Sequence, residues 1–155
     1  VLSVHLKSSC ATTRSADTSA KDDCETLWRQ RIPIRDWIKA RRSEGIPFVI
    51  AGDFNRRFRQ FQDRGPFWRA INDGDLDEPV LSKHPETITR KCPTRKGRSN
   101  QPIDWILLDA GVSHWFVESS FWETRFSTSD VNEAGGFRSQ RLSDHCPISI
   151  DIQID

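Results

Sequence analysis

Residues 47–55 read PFVIAGDFN, and this stretch decides the fold of the chain. Its first six residues are apolar, too few for a helix and bounded by turn residues, which predicts a buried strand over residues 47–52. Upstream, apolar residues recur at helical spacing from position 22 until Gly45, where a helix is expected to end. Pro33 is expected to kink or split that helix. A helix followed by a buried strand predicts an α/β fold.

Further strands are predicted on both sides of this unit. Residues 1–7 alternate apolar and polar side chains, as a half-buried strand does. The other strand candidates are residues 86–91, 102–108, 117–123 and 147–154. We expect the strands at 1–7, 47–52, 102–108 and 147–154 to share one sheet. Because neither a repeat nor a linker interrupts the pattern, residues 1–155 are expected to form a single domain.

Composition limits the classes of partner. The 155 residues include 23 Lys and Arg and 22 Asp and Glu, for a net charge of +1. No global field therefore attracts a polyanion, and any affinity for nucleic acid must come from local patches. No apolar run approaches the roughly 20 residues that a membrane helix needs, so we expect a soluble protein without a membrane span.

The cysteines bear on the compartment. The four cysteines lack the paired short spacing of a zinc site. Cys10 and Cys24 flank a polar segment that a disulfide would close, for about 3 kcal/mol of stability. Such a bridge predicts an oxidising compartment, and hence a secreted or periplasmic protein, whereas two free thiols in a cytosolic protein are the alternative. Cys146 lies in an apolar run and is expected to be a small buried hydrophobic residue.

Polar residues that a core would not choose stand in or beside four of the predicted strands. They are His5, Asp53, Asn55, Asp104, Asp144 and His145. Each alone has an ordinary explanation as a turn former, a surface residue or a core histidine. Together they suit Mg²⁺, which takes carboxylate and phosphate oxygens, and a His held by an Asp can stabilise charge on a phosphoryl group. We expect these side chains to gather at one edge of the sheet.

The same motifs, in this order, resemble the endonuclease/exonuclease/phosphatase superfamily, the deoxyribonuclease I-like metal-dependent phosphoesterases. The resemblance rests on HLK at 5–7, GDFN at 52–55, IDWIL at 103–107 and SDHCP at 143–147, and it covers nearly the whole chain. It implies half of a four-layered α/β sandwich, with a mixed β-sheet and helices on one face. It also implies hydrolysis of phosphodiesters with Mg²⁺ or Mn²⁺.

The resemblance implies a role for each of five catalytic residues. Asp53 would activate or orient the attacking nucleophile, and Asn55 would position the nucleophile and the phosphate. His145 would contact the scissile phosphate, with Asp104 as the hydrogen-bonded partner that orients its ring. His5 resembles the additional acid/base histidine of the deoxyribonuclease I branch.

The resemblance extends only to the second half of the family domain. The first half normally supplies an Asn and a Glu to the metal and a Glu that partners His5, and no such segment precedes Val1. Of the metal ligands, only Asp144 is implied in this sequence. We therefore expect an incomplete metal site and an exposed sheet face. The missing half, or a second copy in a homodimer, would complete the structure.

Two basic clusters indicate the class of substrate. Arg56 and Arg57 follow GDFN directly, and Arg95, Lys96 and Arg98 form a second cluster. Basic loops around a phosphoesterase site favour a polyanion, so DNA or RNA is the predicted substrate and a nuclease the predicted activity. Three alternatives stay open: merely solvated basic loops, a lipid or inositol phosphoesterase, and a catalytically silent module that pairs with itself or another chain.

Overall fold

The computed structural model describes residues 1–10, 22–58, 65–72, 81–84, 102–136, 143 and 145–154. The chain has an α/β fold, as predicted. In chain order, the helices and strands of the described residues are β1 (Leu2–His5), α1 (Asp22–Ser43), β2 (Val49–Asp53), α2 (Pro66–Ile71), β3 (Leu81–His84), β4 (Asp104–Asp109), α3 (Ala110–Ser113), β5 (Trp122–Glu123), α4 (Thr128–Glu133) and β6 (Ile148–Ser149). The predicted strand at 86–91 lies outside the described residues.

Four strands form a mixed sheet in the order β1-β2-β4-β3. β1 runs parallel to β2, whereas β4 is antiparallel to both β2 and β3. Three of the strands predicted to share a sheet therefore do so. The register pairs His5 with Asp53 and Asp53 with Asp104, so three candidate site residues are neighbours across three strands.

The last predicted strand does not join this sheet, so that part of the prediction is wrong. Of residues 147–154, only Ile148–Ser149 form a strand, and it pairs with β5 in a separate two-stranded sheet. The alternating isoleucines Ile148, Ile150 and Ile152 instead pack on a face of the four-stranded sheet. Alternation reports that one side of a segment is buried, and covering a sheet face meets that need as well as pairing at its edge.

Helix α1 runs without interruption from Asp22 to Ser43, with Pro33 inside it, so the predicted split is wrong. Pro33 is exposed, whereas Leu27, Ile34 and Ile38 are buried on either side of it. A proline removes one helical hydrogen bond, but the residues before and after it pack the same helix face on the core, and this packing keeps both halves helical.

Both faces of the sheet carry apolar clusters. On the first face, Ile50, Trp105 and Leu107 pack in one cluster with buried residues of α1 and α2. The opposite face carries the second cluster, formed by Ile106, Leu108 and Val112 with the half-buried Val49, Ala51, Trp115, Phe116, Ile148, Ile150 and Ile152. The expectation of an exposed sheet face is therefore wrong over β4, because the segment after residue 145 covers it.

The predicted bridge between Cys10 and Cys24 is confirmed. It ties the loop after β1 to the first turn of α1. Cys146 is buried, as expected, but it also takes part in a disulfide, so it is not merely a small hydrophobic residue. Within the described ranges, no helix is both long enough and apolar enough to cross a membrane.

Candidate active site

The candidate site lies at one edge of the four-stranded sheet. His5 ends β1 and Asp53 ends β2, while Asp104 begins the antiparallel β4, so all three residues reach the same edge. The loop after residue 143 brings His145 to this edge. The structure thus gathers four predicted site residues from four separate segments.

Gly52 sets the spacing between β1 and β2, and the sequence pattern did not single it out. Its φ is +141°, a region that side chains rarely adopt, and a Cβ here would overlap the carbonyl oxygen of Val4. Only glycine permits this close approach of the two backbones. The available signal was a glycine inside an apolar strand run, which often marks close backbone contact.

Asn55 holds the Asp53 carboxylate in place. It is buried and adopts a left-handed φ of 49°. Its backbone N–H donates to Asp53 Oδ1 at 2.7 Å, and its Nδ2 donates to Asp53 Oδ2 at 2.9 Å and to the Leu6 carbonyl at 2.8 Å. Because both amide hydrogens of Asn55 are directed at protein oxygens, its effect in this arrangement falls on the orientation of Asp53.

Asp104 and His145 form the predicted pair. His145 Nδ1 lies 2.9 Å from Asp104 Oδ2 and 3.0 Å from Oδ1, within hydrogen-bond distance. The backbone N–H of His145 donates to Ser143 Oγ at 3.1 Å, which further fixes the residue. With Nδ1 held by Asp104, the Nε2 of His145 faces the Asp53 carboxylate, 3.9 Å from Oδ2.

His5 also lies close to the Asp53 carboxylate. Its Nε2 lies 3.6 Å from Asp53 Oδ2, and 81% of its side chain is exposed. Asp53 Oδ2 therefore lies within 4 Å of two imidazole nitrogens, and both rings are accessible from solvent. An open site with two imidazoles beside one carboxylate can move protons to or from a bound molecule.

The surroundings of Asp53 change its acidity. Burial raises the pKa of the Asp53 carboxyl, because the charged form loses hydration, and the nearby negative charge of Asp104 adds to the rise. The backbone N–H of Asn55 and the two imidazoles oppose this effect by favouring the charged form. The net rise brings Asp53 closer to the range in which a carboxylate can act as a general base near neutral pH.

The same residues can hold a metal ion. One ligand atom from each of Asp53, Asp104 and His145 lies within 4.8 Å of the other two. Two carboxylates and an imidazole fit a divalent cation, for which carboxylate oxygens suit Mg²⁺ or Mn²⁺. Asp144, the implied metal ligand, lies outside the described residues, so the described group differs from the predicted one.

Arg56 is buried, although a substrate-binding residue is expected to be exposed. Only 2% of Arg56 is exposed, and its Nη1 donates to the Cys10 carbonyl at 3.0 Å. In this position the guanidinium is bonded within the protein rather than presented to solvent. Sequence alone missed this burial because an arginine after a strand is usually a surface residue.

Arg57 is half-buried, and its Nε finds no hydrogen-bond partner among the described residues. Burial also lowers the pKa of the Arg57 guanidinium. Three other predicted substrate-binding residues, Arg95, Lys96 and Arg98, fall outside the described ranges.

A scan against protein-family models finds no match to the chain, and a search of curated proteins finds no relative. The resemblance to metal-dependent phosphoesterases therefore rests on the motifs of the sequence alone.

Proposed function

We propose that this chain carries catalytic residues of a metal-dependent phosphodiester hydrolase that acts on nucleic acid. The observation that carries the proposal is the convergence of Asp53, Asp104 and His145, whose ligand atoms all lie within 4.8 Å of one another. These residues come from β2, β4 and a loop near the end of the sequence. Convergence from distant segments favours a site over three unrelated turn or surface residues.

The geometry supports a division of roles. Asp53, oriented by Asn55 and with a raised pKa, is suited to orient a water molecule and accept its proton. His145, oriented through Nδ1 by Asp104, presents Nε2 to a phosphoryl oxygen and stabilises its charge. A divalent cation bound by the carboxylates would offset further negative charge on the phosphoryl group.

Nucleic acid is the proposed substrate because basic residues are clustered in the sequence, and such clusters favour a polyanion even when the net charge of the chain is small. The net charge is only +1, yet Arg57 follows Asn55 by two positions in the chain and its side chain is only half-buried. Lipid and inositol phosphates carry the same phosphoryl chemistry and are distinguished in the assay below. The Cys10–Cys24 disulfide and the disulfide-bonded Cys146 support an oxidising compartment. We therefore propose a secreted or periplasmic location.

The direct test is an assay of phosphodiester hydrolysis by the protein of natural length. Plasmid DNA, RNA, a lipid phosphodiester and inositol phosphates are each assayed with Mg²⁺ or Mn²⁺, with and without a chelator. We expect metal-dependent cleavage of DNA or RNA. Activity that survives chelation would overturn the metal mechanism, and cleavage of the lipid or inositol phosphate alone would discard the nuclease. If none of these substrates is cleaved, the hydrolase proposal fails, and the catalytically silent module that pairs with itself or another chain is favoured instead.

Asp53→Ala and His145→Ala test the assigned roles. Because each removes an interaction made chiefly in the transition state, we expect kcat to fall by about 10² or more while KM changes little. Asp36→Ala, on the exposed part of α1, and His114→Ala, at the exposed end of α3, are the matched controls and should retain wild-type activity. Undiminished hydrolysis by Asp53→Ala would contradict the mechanism.

A further inference from the structure

A buried arginine connects the segments that carry the candidate site. Arg56 follows Asn55 directly, and only 2% of it is exposed. Its Nη1 donates to the Cys10 carbonyl at 3.0 Å, and its own carbonyl accepts a hydrogen bond from Trp105 Nε1 at 2.7 Å. Both hydrogen bonds are buried, so water does not compete for them.

Each contact of Arg56 reaches a segment beside a site residue. Cys10 lies in the loop that follows His5, and its disulfide to Cys24 anchors that loop on α1. Trp105 is the chain neighbour of Asp104 and is fully buried. Through one side chain and one carbonyl, Arg56 thus links the loop after β1, the loop after β2 and the start of β4.

A buried guanidinium needs a reason to be there. Burying a charge is costly unless hydrogen bonds and favourable contacts hold it, and an apolar residue would fill the same volume at less cost. The Arg56 guanidinium also lies 5.7 Å from the centre of the Phe67 ring, within cation–π distance. An arginine that only bound substrate would be exposed, and a residue that only filled the core would not need a directional side-chain hydrogen bond to another segment.

We propose that Arg56 is a positioning residue, which sets the relative placement of His5, Asp53 and Asp104 without touching the substrate. This proposal rests on the proposed function for its kinetic test. It predicts that a change at Arg56 disturbs the transition-state geometry, whereas a substrate-binding role would disturb affinity and its dependence on salt.

Arg56→Gln in the protein of natural length is the main variant. We expect kcat to fall about tenfold or more, because small misplacements of catalytic groups are costly, while KM and the salt dependence of kcat/KM stay close to wild type. Arg57→Gln should instead raise KM and weaken the salt dependence. Arg69→Gln, an exposed arginine on α2, is the matched control and should behave as wild type.

Trp105→Phe removes the indole N–H that bonds the Arg56 carbonyl but keeps an aromatic ring in the core. We expect kcat to fall in this variant as well, and the double variant with Arg56→Gln to lose less than the product of the two single effects, since both act through one network. Arg56→Lys, which keeps the charge and one donor toward Cys10, should recover part of the kcat. These two variants keep the proposal testable if Arg56→Gln does not fold.

The outcomes separate this proposal from its alternatives. A raised KM with unchanged kcat would show that Arg56 binds substrate, and a lower melting temperature with unchanged kcat would show a purely structural role; either overturns positioning. If the wild type hydrolyses none of the substrates, the proposed function fails. The positioning role is then tested by the NMR chemical shifts of the His5 and His145 rings instead of by kinetics. They should change in Arg56→Gln and not in Arg69→Gln, and unmoved signals would refute the positioning role.

Discussion

At the scale of single residues, Asp53 shows how position changes the chemistry of a carboxylate. Its side chain is 14% exposed at the end of β2, with Asn55 donating to both of its oxygens. Burial raises its pKa, so the folded protein binds this proton more tightly than the unfolded chain does. The ionised state, which the proposed catalytic role requires, is therefore the state that the fold disfavours.

This linkage predicts how stability changes with pH. A raised pKa contributes stability below the unfolded value, and that contribution is lost as the pH rises through the folded value. Relative to Asp53→Asn, wild-type protein should therefore lose free energy of unfolding as the pH rises from about 4, the ordinary pKa of an aspartate. Urea denaturation of both proteins across pH measures the difference.

Asp130 provides a control, because its pKa is shifted in the direction opposite to that of Asp53. Hydrogen bonds from the Ser127 side chain and backbone lower the pKa of Asp130 at the start of α4. Relative to Asp130→Asn, wild-type protein should gain free energy of unfolding as the pH rises through that lower range. Differences of the same sign for Asp53 and Asp130 would contradict the roles assigned to burial and hydrogen bonding.

At the scale of elements, the loop after β1 depends on a covalent tie to α1. The loop follows His5, and the Cys10–Cys24 bridge joins it to the first turn of the helix, where Asp22 and Asp23 also complement the helix dipole. Lys7 extends the contact, since its Nζ lies 3.0 Å from Asp23 Oδ1. An exposed pair of this kind adds little stability, so the bridge contributes more to holding this loop on α1 than the Lys7–Asp23 pair does.

Removing the bridge should therefore destabilise the fold. We expect the double variant Cys10→Ser, Cys24→Ser to lose about 3 kcal/mol in free energy of unfolding, because the unfolded chain regains the freedom of a closed loop. Urea denaturation without reductant measures the loss, and Lys7→Gln should cost under about 1 kcal/mol. A double variant as stable as wild type would show that noncovalent contacts alone hold the loop.

At the scale of the whole molecule, strand β4 contributes side chains to the apolar clusters on both faces of the sheet. Leu107 and Leu108 are adjacent in β4 and fully buried, yet they belong to the clusters on opposite faces of the sheet. Helices α1 and α2 cover the first face, and the isoleucines around β6 cover the second. The second face thus contributes to stability within this chain.

Alanine substitutions at these two positions test whether both faces are packed. We expect Leu107→Ala and Leu108→Ala each to lower the free energy of unfolding by about 3 kcal/mol, as loss of a buried leucine side chain does. Ile46→Ala, at an exposed apolar position, should change it by no more than about 0.5 kcal/mol. A small effect at Leu108 beside a large one at Leu107 would indicate an open second face.

The sequence by itself determined the features that depend on local pattern or on one short loop. It predicted the α/β class, three strands of the sheet and the Cys10–Cys24 bridge, and the motif resemblance implied the pairing of His145 with Asp104. It did not predict α2 or β3, although Gly65 and Pro66 form a recognisable helix start. Periodicity is weak in such short elements, because four to six residues contain no more than about two repeats.

Only the tertiary structure decided which partner each apolar or charged surface meets. Periodicity shows that a segment has a buried side but not what covers it, so the isoleucines of residues 148–152 packed on the sheet face instead of joining its edge. The same reason explains the unbroken helix at Pro33 and the burial of Arg56, where contacts with distant segments outweigh local preference. The site itself exists because strand register places His5, Asp53 and Asp104 side by side.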